Sequence, residues 1–302
     1  MYQTKNWRSR MKKLILIAAT AGIIGIAPIL AQAAPSDDLK ALRSFYQKKF
    51  PNVKFKDLKD GIYALDADRR EAWLEFEDFA PPYEDAIAVG KKEFNKPFKN
   101  GKSYASCFEN GGIGIRQNYP FFDRKTGKVV TLEAAINSCR KTNGEKPYKW
   151  KKGKMAAVSA YMGYTSRGKI INIKISNDPR SLAIYEKGKK FFYAKRGQLN
   201  FSCADCHVSN AGGMVRGNLM GTAIGQVTHW PAWRKKWQKK SAAKGKTGPL
   251  AGLGTLQRRY GGCNKQVRAK PFKAQSPEYT ALEYFHQYIS NGQEVNAPGL
   301  RQ

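Results

Sequence analysis

Cys203, Cys206 and His207 stand together in the run Phe201-Ser202-Cys203-Ala204-Asp205-Cys206-His207. Cys-x-x-Cys-His is the attachment signature of c-type haem. Two thiols three residues apart can form thioether bonds to the two vinyl groups of one haem. The next residue then turns its imidazole to the iron. The competing reading, half of a zinc site, needs a second Cys/His pair at similar spacing, and the chain has none. One covalent haem c, held by Cys203 and Cys206 with His207 as proximal ligand, is therefore the expected cofactor.

The other face of the iron needs a ligand. Met214 and Met220 lie too close behind His207 to wrap round a haem, and no methionine follows Met220. His229, Cys263 and His286 remain. His229 sits in the aromatic stretch Thr228-His229-Trp230-Pro231-Ala232-Trp233 and reads as haem wall. His286 lies inside the last helix and reads as packing. Cys263 is the odd thiol of five cysteines, in the setting Arg258-Arg259-Tyr260-Gly261-Gly262-Cys263-Asn264. Glycines let a backbone approach a cofactor, and arginines favour the thiolate that ligates iron or attacks sulfur. Arg259, four residues earlier, could hold an oxyanion in its planar donor fork. The bland alternative is an inert core cysteine.

The rest of the chain must position these groups. Lys5, Arg8, Arg10, Lys12 and Lys13, the apolar run Leu14–Leu30 and the small-residue site Ala31-Gln32-Ala33 read as a cleaved signal peptide over residues 1–33. Export to the periplasm is expected, with no stable membrane insertion. The whole chain carries +31; loss of residues 1–33 removes five positive charges and leaves +26. Such an excess usually suggests nucleic acid. Export and the lack of any groove-reading or base-stacking motif argue against it, so anionic substrates or acidic partner proteins are the better expectation.

Residues 34–80 form an N-terminal helical segment with helical and acidic patches such as Asp37–Phe50 and Asp66–Phe79, and Asp38–Tyr46 has the apolar spacing of a short helix. An internal repeat follows. Ala86–Phe94 leads to Ser106-Cys107 as Ala183–Phe192 leads to Ser202-Cys203. Cys139, Pro147 and Ser166-Arg167-Gly168 recur at one fixed offset as Cys263, Pro271 and Ser290-Asn291-Gly292. An apolar helix precedes each end, over Met155–Tyr164 and Tyr279–Tyr288. These landmarks indicate a duplicated, mainly helical cytochrome c-like domain over 81–169 and 179–302, joined by 170–178, where Ile170–Ile175 reads as a short strand or extended linker. The first copy has Asn110 and Gly111 where the second has Cys206 and His207, so it should carry no haem. Its Cys107 and Cys139 could then approach and form a disulfide, worth roughly 3–4 kcal/mol by loop entropy; the alternative is two buried thiols.

The duplicated cytochrome, Cys203-Ala204-Asp205-Cys206-His207 and Arg259-Tyr260-Gly261-Gly262-Cys263-Asn264 together resemble the SoxA family, from about Pro35 to the end. The resemblance implies the single-haem type, in which a disulfide replaces the first haem. It implies the cytochrome subunit of an L-cysteine S-thiosulfotransferase. Thiosulfate would be joined oxidatively to the cysteine of SoxY within the carrier SoxYZ, and SoxX would be the tight haem partner. It also implies that Cys263 is the distal ligand and becomes a persulfide, and that Arg259 binds the sulfonate. Two rivals stay open: a cytochrome that only carries electrons, and a thiosulfate dehydrogenase that makes tetrathionate.

Overall fold

A computed structural model describes residues 34–301; the expected signal peptide lies outside them. Helix α1, Pro35–Lys49, opens on a proline, with Asp37 and Asp38 in its first turn and Lys48 and Lys49 in its last. Each charge suits the helix dipole. It turns Leu42 and Tyr46 inward. A 3₁₀ segment, Phe55–Ala64, leads to α2, Ala67–Phe79, whose start is capped by the Asp66 carboxylate accepting from the Arg69 N–H. Trp73 of α2 stacks on Tyr63 at 4.8 Å. The short helix expected over Asp38–Tyr46 is present and longer, and the patch at Asp66–Phe79 is helical from Ala67.

Two helix pairs follow. Helix α3, Glu84–Asn95, packs on α5, Lys154–Tyr164; α6, Pro179–Tyr193, packs on α9, Pro277–Tyr288. Both pairs depend on a glycine. A Cβ on Gly90 would sit 2.1 Å from the carbonyl oxygen of Ala157, and one on Gly188 would sit 2.0 Å from that of Ala281. No side chain fits at either crossing, so the backbones meet directly. A third helix completes each set: α4, Leu132–Thr142, carrying Cys139, and α8, Leu256–Gln266, carrying Cys263. The apolar faces of the first set enclose Phe94, Tyr104, Leu132, Ile136, Met155 and Met162. The second set joins a larger core that includes Tyr46, Tyr185, Phe192, Trp230 and Phe285.

Short strands link the helices. β1, Phe121–Asp123, pairs antiparallel with β2, Lys128–Val130; β3, Met214–Val215, pairs antiparallel with β4, Asn218–Leu219. β5, Ala232–Arg234, is flanked by β6, Leu253–Gly254, antiparallel, and by β7, Gly299–Arg301, parallel. The basic helix α7, Lys235–Ala242, continues β5. Ile170–Ile175 is an extended linker rather than a strand. Only Ile170 bridges, to Glu294, while Ile171 and Ile173 are buried and their N–H groups reach Gln293 O and the Asn291 side chain. Its alternation comes from packing without a sheet. The described residues make one compact unit, in which no helix is long and apolar enough to cross a membrane.

Where the two helix sets meet, Glu133, Glu283 and Arg116 are buried. Ser159 donates to Glu133 at 2.8 Å, and Gln257 donates to Glu283 at 2.9 Å. Burial and then the neighbouring Glu133 push the Glu283 carboxyl up to about 8, with Arg116 opposing. An unfolded chain releases this proton near pH 4.3. The unfolded state therefore binds fewer protons between that pH and about 8, and stability falls as pH rises through the window, by up to ~1.4 kcal/mol per unit. Urea unfolding of the holoprotein should show this decline, and Glu283→Gln should flatten it. An equal slope in the variant would remove Glu283 as its source.

Candidate functional site

Cys203, Cys206 and His207, the expected haem-attachment residues, sit on a turn that the local sequence builds. Ser202 and Asp205 cap each other: the Ser202 N–H and Oγ donate to the Asp205 carboxylate at 2.8 and 2.9 Å, and the Asp205 N–H donates to Ser202 Oγ at 2.9 Å. This reciprocal cap opens a turn of π geometry over Asp205–Ser209. Cys203, Cys206 and His207 all line one cavity of about 1260 Å³, its open mouth included.

His207 is oriented by its neighbours. Its Nδ1 lies 2.9 Å from the carbonyl oxygen of Gly221. A carbonyl can only accept, so Nδ1 carries the proton and Nε2 keeps its lone pair. That is the arrangement a metal-binding histidine needs. Burial lowers the imidazole to about 4, against the hydrogen bond to Gly221, so the ring is neutral at physiological pH. Burial also pushes the Cys203 thiol up to about 12, although Arg196 draws it down.

Tyr46 reaches this turn from α1. Its hydroxyl donates to His207 O at 2.6 Å and accepts from the Ala223 N–H at 2.9 Å. Tyr46→Phe should cost about 1–3 kcal/mol, because both buried partners lose their bond. Denaturant unfolding and the proteolysis rate around His207 would check it; an unchanged midpoint would show that water replaces the hydroxyl.

The opposite wall comes from α8. Arg259 and Cys263 are one helical turn apart and therefore share a face; both line the cavity. Of the two neighbouring arginines only Arg259 does so. Arg258 donates to Leu253 O at 2.8 Å and lies over Trp237 at 3.8 Å. The remaining lining is largely apolar, with Phe191, Leu199, Phe201, Trp230 and Leu282. A cavity with two adjacent thiols, a pre-oriented imidazole and a facing third thiol fits haem c. Cys203 and Cys206 would attach it, with His207 and Cys263 on its two faces.

Other sequence candidates fall elsewhere. His229 is buried against Arg301, whose Nε lies 2.7 Å from His229 Nε2, and it does not line the cavity. His286 does line it, but is held between the Tyr260 hydroxyl at 3.1 Å and Ala223 O at 3.2 Å. Met220 lines the wall and Met214 is exposed. In the first helix set Cys107 and Cys139 are disulfide-bonded, with Cα atoms 5.8 Å apart. Sequence reasoning passed over Arg196 and Arg216, which also line the cavity. Arg196 lies over Phe191 at 3.8 Å, with Nη1 3.6 Å from Cys203 Sγ.

Residues 89–171 match the family described as SoxA/TsdA, cytochrome c domain. The L-cysteine S-thiosulfotransferase subunit SoxA of Chlorobaculum tepidum is 48% identical over 96% of both chains. That of Allochromatium vinosum is 44% identical, also over 96% of both. Among solved structures, the crystal structure of SoxXA from P. pantotrophus aligns with TM-score 0.66 and 30% identity, covering 77% of this chain and 84% of that one. With relatives this similar along almost the whole length, the chain belongs to the SoxA family.

Proposed function

We propose that this protein is a periplasmic cytochrome catalysing the oxidative coupling of thiosulfate to the cysteine thiol of SoxY within SoxYZ. A SoxX cytochrome is its stable partner and electron acceptor. The observation that carries the reading is Arg259 and Cys263 on one face of α8, lining the same cavity as Cys203, Cys206 and His207.

The overall change balances. Thiosulfate and a carrier thiol give a carrier S-thiosulfonate, with one S–S bond formed, one proton released and two electrons removed. Haem c, when bound, would supply one-electron acceptance, so the pair needs either the SoxX haem as well or departure in sequence. Arg259 holds the sulfonate oxygens through its donor fork and keeps the outer sulfur near Cys263. Cys263 acts as a standing persulfide. Its terminal sulfur bonds to the outer sulfur of thiosulfate as two electrons and one proton leave, and the carrier thiolate then takes the whole thiosulfonate by displacing the Cys263 persulfide as its anion. The apolar walls exclude water, which strengthens each charge interaction within.

We also read the chain as a duplication, with haem retained only in the second half. The matched crossings at Gly90 and Gly188, and the parallel placement of Cys139 on α4 and Cys263 on α8, support this. Nothing among the observations favours tetrathionate formation over carrier coupling.

Purified holoprotein with SoxX should convert reduced SoxYZ to the S-thiosulfonate, seen as the matching mass increase, only when thiosulfate and oxidised cytochrome are both present. Tetrathionate as the product, without any carrier requirement, would defeat the reading in favour of a dehydrogenase.

A further inference from the structure

Strands β3 and β4 form a hairpin with Val215 opposite Asn218, so its two-residue turn is Arg216-Gly217. Both turn residues have positive φ, 54° and 73°. Such turns favour Asn, Asp or Gly at the first position. Arginine there is a poor local choice, and local rules are broken most often at functional sites. Arg216 lines the cavity that Arg259 and Cys263 line. Its Nη1 donates to the backbone oxygen of Gln266, at the end of α8, while Gln266 Oε1 accepts from Arg259 Nη1 at 3.4 Å. One residue thus tethers both guanidinium groups. Arg196 is a third arginine on the wall, and among the described residues no carboxylate lines the cavity.

We infer that Arg216 is a second anion-binding residue, which pairs with Arg259 to clamp a sulfur oxyanion at the cavity mouth. The identity of that anion rests on the function proposed above. A guanidinium has five donors, and the bond to Gln266 uses one of them. A sulfonate group has three oxygens, more than one guanidinium fork can satisfy. Arg216 arrives on a hairpin separate from α8, so the anion is held from two elements.

The test uses the holoprotein with SoxX and three forms: wild type, Arg216→Asn and Arg216→Lys. Asparagine tolerates the left-handed backbone, so the hairpin is kept while the charge goes. Radiolabelled thiosulfate binding by equilibrium dialysis is measured alongside KM and kcat for carrier coupling and the haem potential. Arg216→Asn should weaken thiosulfate binding and raise KM by roughly ten- to a hundredfold, the scale of one charge-assisted hydrogen bond. It should leave kcat within a fewfold and the potential unchanged. Arg216→Lys should fall between, because the charge remains without the fork. Unchanged binding in Arg216→Asn overturns the inference. So does a shifted potential with unchanged binding, which would assign Arg216 to a haem carboxylate. Wild type that binds no thiosulfate overturns it too. Wild type that binds thiosulfate through Arg216 but modifies no carrier refutes the proposed function and leaves the clamp standing.

Discussion

Replacing Cys263 with alanine should abolish carrier coupling, by roughly 10⁴-fold or more, the scale seen when a nucleophile is removed from a concerted site. Haem attachment should survive. Cys203, Cys206 and His207 sit on a turn held by Ser202, Asp205, Tyr46 and Gly221, none of which belongs to α8. Cys263 is only partly buried and small, so its truncation costs little packing. The discriminating readings are kinetic and spectroscopic. Coupling should vanish, and the low-spin thiolate signal in electron paramagnetic resonance should change to that of a different axial set. The ~32 Da of an added sulfur, the persulfide step of the cysteine ladder, should disappear from the mass spectrum. A variant that turns over within tenfold of wild type would reduce Cys263 to a wall residue. A lost signal with retained turnover would make it a ligand only.

Removing the disulfide should have the largest effect on stability. Cys107 and Cys139 cross-link the first helix set across 32 residues of sequence. The chain-entropy account assigns such a link about 3–4 kcal/mol, which corresponds to roughly 5–8 °C in Tm for a chain of this size. Two further features raise the stake. Cys139 is buried, and the Asn143 side chain is organised around the bridge, donating to Cys139 O at 2.8 Å and lying 3.4 Å from Cys107 Sγ. A Cys107→Ser, Cys139→Ser double variant should lose that Tm while keeping its haem content, since the bridge lies in a different apolar cluster from the cavity. Scanning calorimetry with and without reductant checks this. Equal Tm values for the oxidised wild type and the double variant would count against it.

What could be read in advance followed from contiguity. Cys203, Cys206 and His207 are adjacent, so spacing alone names their chemistry. Helices over Met155–Tyr164 and Tyr279–Tyr288 are close to the observed α5 and α9, because long apolar stripes leave little choice of element. Arg259 and Cys263 were legible as an Arg-x-x-x-Cys pair, but they read as part of a glycine-bearing distal loop, whereas Gly261 and Gly262 lie within α8. The groups that complete the site were not legible. Arg216 meets Gln266 only because a hairpin folds back 50 residues along the chain. Tyr46 clamps His207 from α1, and no local pattern links them. Arg258 was read with Arg259 as a cation favouring the thiolate, yet it turns to Trp237, because neighbours on a helix point about 100° apart. Ile170–Ile175 has a strand's alternation, but Asn291 and Gln293 satisfy its backbone singly.

The hydroxyl of Tyr46 closes over His207 across 161 residues of chain, and this separates two events in time. The reciprocal cap between Ser202 and Asp205 spans three residues and can form within the kinetics of a single turn. The Tyr46 clamp must wait for a long loop to close, and contacts of high sequence separation come late. Until α1 docks, the turn that carries Cys203 and Cys206 lacks the Tyr46 bonds at His207 O and the Ala223 N–H. Once α1 docks, the same turn is sealed from behind. The fold therefore joins a locally capped turn to a clamp that exists only once distant parts of the chain have met.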